Sequence, residues 1–308
     1  MSASGTRYWT WAPNVPRIPD DWVKCVVYLY RSVDAAELGE PVGGCGLLVG
    51  VESATIPSLA HVYVVTNAHV SEKYRVARHN ILGGSQPVDL SQAEWIDHGA
   101  DVSVCQMGMN AFLDESMKVV STAALLTENR AREIPLRHGD ELFMVSRYVA
   151  HEGFYDNEPI TRFGTLAKVD PVPVLHEAFG NHLGEYPETS YLAEMRSLPG
   201  HSGSPVFAYW TGLQTRLGAD EEGEPKPDVC LLGIDWGHPP WPRPVMTSDN
   251  RETSYWVGDN SGITCIVPAW KITELLEDET LVKKRRELDE HFAKISPIRA
   301  ATSDASID

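Results

Sequence analysis

Residues 200–206 read Gly-His-Ser-Gly-Ser-Pro-Val, a serine held between glycines just before a hydrophobic, strand-like run. Glycine allows a tight turn, and such a turn can present the Ser202 hydroxyl for attack on a carbonyl carbon. The motif alone is a weak signal, because serines in glycine turns are commonly plain turn residues. A serine hydroxyl also needs a positioned base to accept its proton. The nucleophile hypothesis therefore predicts a histidine and an orienting acid elsewhere in the chain.

The candidate base is His69, which follows a strand-like segment. Residues 61–70 read His-Val-Tyr-Val-Val-Thr-Asn-Ala-His-Val, an apolar run that ends in small polar residues and then the imidazole. This pattern predicts a β-strand with His69 at its end. The chain has 11 histidines, and a surface or structural role is the ordinary one, so only this context favours His69.

The candidate orienting acid is Asp101. It opens the alternating segment Asp-Val-Ser-Val-Cys at residues 101–105, where a carboxylate can point toward an imidazole. The alternatives are a solvated carboxylate at a strand end, or Asp97, which follows Trp95 and Ile96 and could take the same role. Asp101 is the preferred residue.

Residues 66–70 (T-N-A-H-V), 100–104 (A-D-V-S-V) and 200–206 together resemble the chymotrypsin/trypsin-like serine peptidases, in which His, Asp and Ser follow in that order. Esterases of the α/β-hydrolase type carry G-x-S-x-G and the order Ser, acid, His, which this chain does not offer. The resemblance implies that His69, Asp101 and Ser202 form a catalytic triad. It also implies an oxyanion hole from the N–H groups of Gly200 and Ser202, and no metal or organic cofactor.

The resemblance also indicates substrate-binding residues. Arg196 stands six residues before the nucleophile, at the base of the family's primary pocket, where it could favour an acidic substrate side chain. The competing interpretation is that Arg196 turns outward or pairs with Glu194 or Asp235.

The family's substrate-binding edge strand matches residues 231–237, and its pocket walls match Gly237 and Gly262. Trp236 lies in the same strand. Asp235 occupies a place where the family often has serine, near the triad acid. Two adjacent carboxylates would raise the pKa of one of them, unless Asp235 is hydrogen-bonded away from Asp101. The sequence leaves both arrangements open.

His201 stands where digestive members of the family carry an acid that pairs with a newly cut N-terminal amine. The histidine predicts that no N-terminal cleavage is needed to form the site.

The strand pattern predicts an all-β fold of paired antiparallel β-barrels, because short runs at period two alternate with Gly, Pro and Asp. The resemblance implies that these are two packed six-stranded β-barrels, and the apolar spacing of residues 267–276 predicts a C-terminal α-helix. Residues 219–228 and 236–250 read as exposed loops. The expected parts are an N-terminal surface extension at 1–20, a first barrel at 21–126, a connector and second barrel at 127–267, a helical segment at 268–295 and a flexible tail at 296–308.

The net charge of −17 argues against nucleic acid as a partner, since phosphate attracts the opposite sign. The basic run Lys283–Arg286 is best explained as a solvated helix face with i,i+4 pairs. No segment predicts a membrane span or secretory signal, and the five cysteines lack disulfide or zinc spacing, so a cytoplasmic location is expected.

Three functional hypotheses follow: an intracellular serine endopeptidase acting on protein or peptide substrates, a silent trypsin-fold protein-binding module, and a processing enzyme with one dedicated protein target.

Overall fold

The computed structural model of the protein describes residues 18, 20–39, 41–55, 59–97, 99–107, 117–133, 136–148, 153, 156–175, 187–210 and 228–303. The predicted N-terminal extension up to residue 17, the predicted loop at 219–227 and the end of the predicted tail at 304–308 lie outside these residues.

The first domain is an eight-stranded, mainly antiparallel sheet. Its strands are β1 Val26–Tyr30, β2 Gly44–Glu52, β3 Ala60–Thr66, β4 Val76–Ile81, β5 Gly84–Asp89, β6 Trp95–Ile96, β7 Ser103–Gln106 and β8 Val120–Ser121. The strand order is β5-β4-β1-β2-β3-β7-β6, and β8 adds to β2 in parallel. Three short helices lie among them: α1 Asp20–Lys24, α2 Val33–Leu38 and α3 Ala68–Ser71.

The second domain contains the closed six-stranded barrel that the sequence predicts. Its strands are β9 Glu141–Arg147, β10 Pro159–Leu175, β11 Pro187–Glu194, β12 Pro205–Trp210, β13 Asp228–Gly237 and, after an intervening hairpin, β16 Ile263–Pro268. They close in the order β10-β11-β16-β13-β12-β9. A 3₁₀ turn, Thr122–Ala124, and helix α4, Glu128–Glu133, occupy the connector between the domains.

The side chains of strand β9 alternate between two apolar clusters. Leu142 and Met144 belong to the cluster of side chains inside the barrel, whereas Phe143 and Val145 belong to the cluster between the two domains. Successive side chains of a strand point to opposite faces, so one strand supplies both cores. The interdomain core brings the loop ends of both domains together at one seam.

Strands β14 Pro240–Met246 and β15 Glu252–Asn260 form a separate antiparallel hairpin between β13 and β16. The sequence predicted an exposed loop at 236–250, which includes the whole of β14; most of β14 is exposed, but it is a strand. Trp241, Tyr255 and Trp256 of this hairpin have 62%, 74% and 65% of their surface exposed. The prolines at alternate positions of β14 suit an edge strand, which lacks a partner on one side.

The predicted C-terminal helix is present as two helices, α5 Ala269–Leu276 and α6 Glu279–Ser303. Helix α6 continues to Ser303, into the segment predicted as a tail. None of the described helices has the length and apolar character to span a bilayer.

Helix α6 packs against the first domain through buried polar contacts. Asp289 Oδ1 lies 2.8 Å from His61 Nε2 and accepts a hydrogen bond from the Ser53 hydroxyl at 2.8 Å. Arg285 donates to the Tyr63 hydroxyl at 3.1 Å and is 9% exposed. The prediction of a solvated basic run is therefore wrong for Arg285, although Lys283 is exposed and pairs with Glu287 at i,i+4.

Candidate active site

His69 lies in the single turn of helix α3, immediately after strand β3. Its Nδ1 atom is 2.7 Å from Asp101 Oδ2, and its backbone N–H donates to Asp101 Oδ1 at 3.1 Å. A carboxylate can only accept, so Nδ1 carries the proton and Nε2 presents its lone pair. The imidazole is thus fixed in the orientation and tautomer that suit a general base.

Asp101 is buried in the turn that precedes strand β7. Its carbonyl oxygen accepts a hydrogen bond from the side-chain amide of Asn67 at 2.7 Å, and its N–H donates to Glu188 Oε2 at 2.7 Å. Asp97, the other carboxylate considered, is exposed. Of these two acids, Asp101 therefore contacts His69.

Ser202 lies in a tight turn before strand β12, between two glycines in the left-handed region: Gly200 has φ of +91° and Gly203 has φ of +85°. A Cβ atom on Gly203 would lie 1.9 Å from the Cys45 carbonyl oxygen and 2.5 Å from Thr66 Oγ1. Only glycine lets the turn approach the ends of β2 and β3 this closely. The turn is anchored there because Cys45 N–H donates to the Ser202 carbonyl at 2.7 Å.

The Ser202 turn and the His69 helix meet above Gly44. A Cβ atom on Gly44 would lie 2.9 Å from the methyl groups of Val70 and 3.0 Å from the Ser202 carbonyl oxygen. Among the hydrogen bonds of the described residues, none joins the Ser202 hydroxyl to the His69 imidazole. Catalytic hydrogen bonds are often long without substrate and tighten on binding.

The backbone N–H groups of Gly200 and Ser202 have no acceptor among the described residues, whereas His201 N–H between them donates to Leu198 O at 3.0 Å. The guanidinium of Arg147 packs against Gly200, because a Cβ there would lie 2.5 Å from Arg147 Nη2. These two unused amides, one of the serine itself and one of the glycine two residues before it, are available to a developing oxyanion.

His201 is fully buried beside the nucleophile. Its Nδ1 accepts the Leu198 N–H at 3.2 Å. Burial, together with the positive charges of Arg162 and Arg147, lowers the pKa of His201 to about 3. The residue before the serine is therefore a neutral imidazole at physiological pH.

The Asp235 carboxyl is fully buried and hydrogen-bonded away from Asp101. It accepts from the Ser197 hydroxyl at 2.6 Å and from the Gly237 N–H at 3.0 Å. Burial raises the pKa of Asp235 to about 7, although those two hydrogen bonds and the nearby His69 oppose the rise. The cause is desolvation and not a neighbouring carboxylate.

Arg196 is exposed at the end of strand β11. It makes no ion pair with Glu194, Asp235 or any other described residue. It lies near a second arginine, since the positive charge of Arg196 adds to burial in lowering the pKa of Arg162.

The other three predicted substrate-binding residues lie on neighbouring strand ends. Trp236 is buried, and its indole N–H donates to the Ser190 hydroxyl at 2.8 Å. Gly237 is half-buried and extended, and the Gly262 carbonyl accepts Met195 N–H at 3.0 Å. The side chain of Trp236 therefore packs in the core, while Gly262 contacts Met195 and Gly237 pairs with Cys265 of β16.

No group of three or more His, Cys, Asp or Glu side chains among the described residues is arranged to hold a metal ion. All five cysteines are buried reduced thiols, and none forms a disulfide.

No protein-family model and no curated protein sequence matches the chain. Among solved structures, the active form of the Rv3671c protease from M. tuberculosis aligns over 83% of this chain and 81% of its own, at 14% identity and a TM-score of 0.44. The HtrA-type protease AlgW solved with a tripeptide aligns over 84% of this chain and 62% of its own, at 15% identity and a TM-score of 0.43. The chain thus spans less than two thirds of the length of AlgW.

The chain combines a β-sheet domain, a closed six-stranded barrel and C-terminal helices, with the candidate site between the two domains. This architecture agrees with the fold that the resemblance to trypsin-like peptidases implies.

Two residues of the candidate site were not found from the sequence. Glu188 approaches Asp101 from strand β11, and Arg147 packs on Gly200 from the end of β9. The period-two pattern of β11 could have placed Glu188 on a buried face together with Ser190. No sequence signal connects either residue to a partner so distant in the chain.

Proposed function

We propose that the protein is a serine endopeptidase that hydrolyses peptide bonds in protein or peptide substrates. The observation that carries the proposal is the 2.7 Å contact between His69 Nδ1 and Asp101. It leaves Nε2 of an oriented imidazole available as a base, on a short helix whose Val70 packs against Gly44, as the Ser202 carbonyl also does. The two unused N–H groups at Gly200 and Ser202 supply the second requirement, a site for negative charge on the substrate oxygen.

In the proposed reaction, Ser202 Oγ attacks the substrate carbonyl carbon while His69 Nε2 accepts the hydroxyl proton. The carbonyl electron pair moves onto oxygen, which the Gly200 and Ser202 amides stabilise. The C–N bond then breaks, the leaving amine takes the proton from His69, and an acyl ester remains on Ser202. Water attacks this ester with His69 again as base, which releases the acid and restores the serine.

The test uses a fluorophosphonate probe, which forms a covalent bond with an activated serine, and a peptide-hydrolysis assay. We expect wild-type protein to be labelled, and Ser202→Ala and His69→Ala to lose labelling and to lower turnover about 10³-fold or more. Ser204→Ala is the matched control, because it removes a neighbouring buried hydroxyl of the same turn that plays no part in the reaction. Labelling that survives in Ser202→Ala would refute the assignment of the nucleophile.

The second candidate is a non-catalytic protein-binding module, and the exposed aromatic residues of the β14–β15 hairpin favour it. Large apolar side chains that stay exposed together often mark a protein-interaction site. An absence of probe labelling in wild-type protein under all conditions, combined with capture of a protein by the hairpin, would support this alternative.

We further propose that the site forms without N-terminal cleavage, because neutral His201 cannot pair with a cut N-terminal amine as a carboxylate does. Full-length purified protein should therefore react with the probe. Protein that becomes reactive only after a defined cut would contradict this.

We also propose that the protein acts inside the cell, in a regulatory or processing role, on a dedicated protein target. Five free buried cysteines fit a reducing compartment, and the strong negative charge opposes binding to nucleic acid. Comparison of the proteomes of cells that express wild-type or Ser202→Ala protein, fractionated by compartment, would identify the cut sites and their location.

A further inference from the structure

Glu188 connects the two domains at the candidate active site. It lies in strand β11 of the barrel, yet its Oε2 accepts the backbone N–H of Asp101 in the first domain at 2.7 Å. Both residues are buried, with 6% and 5% of their surface exposed. The peptide group that carries the orienting acid is therefore held from the opposite side of the domain seam.

The same strand also contacts the predicted substrate-binding strand. The Ser190 hydroxyl donates to the Glu188 carbonyl at 3.1 Å and accepts the indole N–H of Trp236 at 2.8 Å. Trp236 belongs to β13. A continuous set of hydrogen bonds thus runs from β13 through β11 to Asp101 and on to His69.

A buried carboxyl group at position 188 lowers the free energy of unfolding when it is ionised, because its charge is desolvated. Its presence at this position therefore points to a role beyond packing. Burial raises the pKa of Glu188 to about 7, and the carboxylate of Asp101 adds to the rise, while the Asp101 N–H, the Lys271 ammonium of α5 and the Thr189 N–H oppose it. A neutral amide could accept the same hydrogen bond without desolvating a charge. The ionised form places a second negative charge near the His69–Asp101 pair.

We propose that Glu188 is a positioning residue of the active site. It fixes the Asp101 peptide so that the carboxylate meets His69 Nδ1, and its charge favours the imidazolium that forms during the reaction. This inference rests on the proposed peptidase function.

Two variants separate the hydrogen bond from the charge. Glu188→Ala removes both, and we expect kcat to fall about 10–100-fold with KM unchanged, since a small displacement of the catalytic groups costs this much. Glu188→Gln keeps an acceptor for the Asp101 N–H, so most of kcat should return. Loss of the negative charge should still move the acid limb of the kcat pH profile to lower pH. Glu194→Gln, at an exposed position of the same strand, is the matched control.

A second measurement needs no substrate. The proton on His69 Nδ1 should give a downfield NMR resonance, assigned by its loss in His69→Ala, which survives in Glu188→Gln and broadens or disappears in Glu188→Ala. If wild-type protein fails to react with the fluorophosphonate probe, the proposed function fails, and this resonance still tests the positioning role.

The proposal would be overturned if both variants kept the wild-type kcat, the wild-type acid limb of the pH profile and the wild-type Nδ1 resonance. Glu188 would then be only a buried hydrogen-bond acceptor. If Glu188→Ala does not fold, Glu188→Gln decides: a lowered acid limb with near-normal kcat supports the role, and an unchanged limb refutes it.

Discussion

At the residue scale, the positive charge of Arg196 and Arg162 bears on substrate choice. The positive charge of Arg196 helps to lower the pKa of Arg162, and Arg196 is exposed at the position where the resemblance puts the primary pocket. We expect a peptide library to show a preference for Glu or Asp before the cleaved bond. An exposed ion pair contributes about 0.2–1 kcal/mol, so the preference should be no more than about five-fold.

The preference should also weaken as salt is added, because exposed charges are screened. Arg196→Gln should reduce it, while Arg251→Gln, an exposed arginine of the hairpin turn, should not. Cleavage after Lys or Arg would exclude the acidic pocket.

The buried carboxyl of Asp235 makes stability depend on pH. Its pKa rises from 3.8 to about 7 on folding, so between these values the unfolded chain loses a proton that the folded protein keeps. The stability contributed by this group is therefore complete below about pH 4 and falls as pH rises to about 7, by about 1.4 kcal/mol per pH unit. Asp235→Asn should lack this slope, because an amide does not ionise in this range. The amide can still form hydrogen bonds with Ser197 and Gly237.

The measurement is the free energy of unfolding in urea of both proteins at several pH values from 4 to 8. The difference, wild type minus Asp235→Asn, should fall across this window and level off above pH 7. A constant difference would mean that Asp235 ionises normally in the folded state.

Single-residue chemistry could be predicted where it depends on local sequence. The serine turn, the histidine after β3 and the acid before β7 follow from glycine placement and strand alternation. The partners of Asp235 and Glu188 could not be predicted, because each contact joins strands that meet only when the barrel closes. The burial of Trp236 was missed for the same reason: its neighbour Ser190 lies on another strand.

At the element scale, helix α6 attaches to the first domain through Asp289. Asp289→Ala removes the acceptor shared by His61 and Ser53, and we expect it to lower the free energy of unfolding by about 2–4 kcal/mol. Asp289→Asn keeps one carbonyl acceptor and should cost less. Glu290→Ala, exposed on the same helix, is the control, and chemical denaturation is the measurement; equal stability of all three variants would contradict the role of this contact.

Element types were predicted best where periodicity was strong. The apolar spacing of residues 267–276 correctly indicated helix α5, and the helical segment predicted to end at residue 295 contains most of α6. The β14 strand was read as a loop because prolines at alternate positions normally demote a strand. They are tolerated in this hairpin because one edge of β14 pairs with β15 while the other needs no donor. The burial of Arg285 was likewise not predicted, because it lies in a run of charged residues. Its hydrogen-bond acceptors are the Tyr63 hydroxyl and the carbonyl of Leu276 at the end of α5.

At the scale of the whole molecule, the interdomain core predicts cooperative unfolding. One continuous cluster contains Tyr28 and Val104 of the first domain together with Phe143, Phe207 and Trp236 of the second. The connector adds a hydrogen bond from Leu126 N–H to Leu231 O at 2.9 Å. Separation of the domains would expose this apolar surface to water at roughly 25 cal/mol per Å², so neither domain should be stable without the other.

Calorimetry should therefore show a single unfolding transition whose calorimetric and van't Hoff enthalpies agree. The substitution Phe207→Ala, at the seam, should lower that one transition as a whole, because the Phe207 ring of the barrel contacts the Trp22 ring of helix α1 edge-to-face, with the ring centroids 5.0 Å apart. Truncation of exposed Tyr255 in the hairpin should leave it unchanged. Two separate transitions in wild-type protein, with only one of them sensitive to Phe207→Ala, would show that the domains fold independently and that the site is assembled by docking of two stable units.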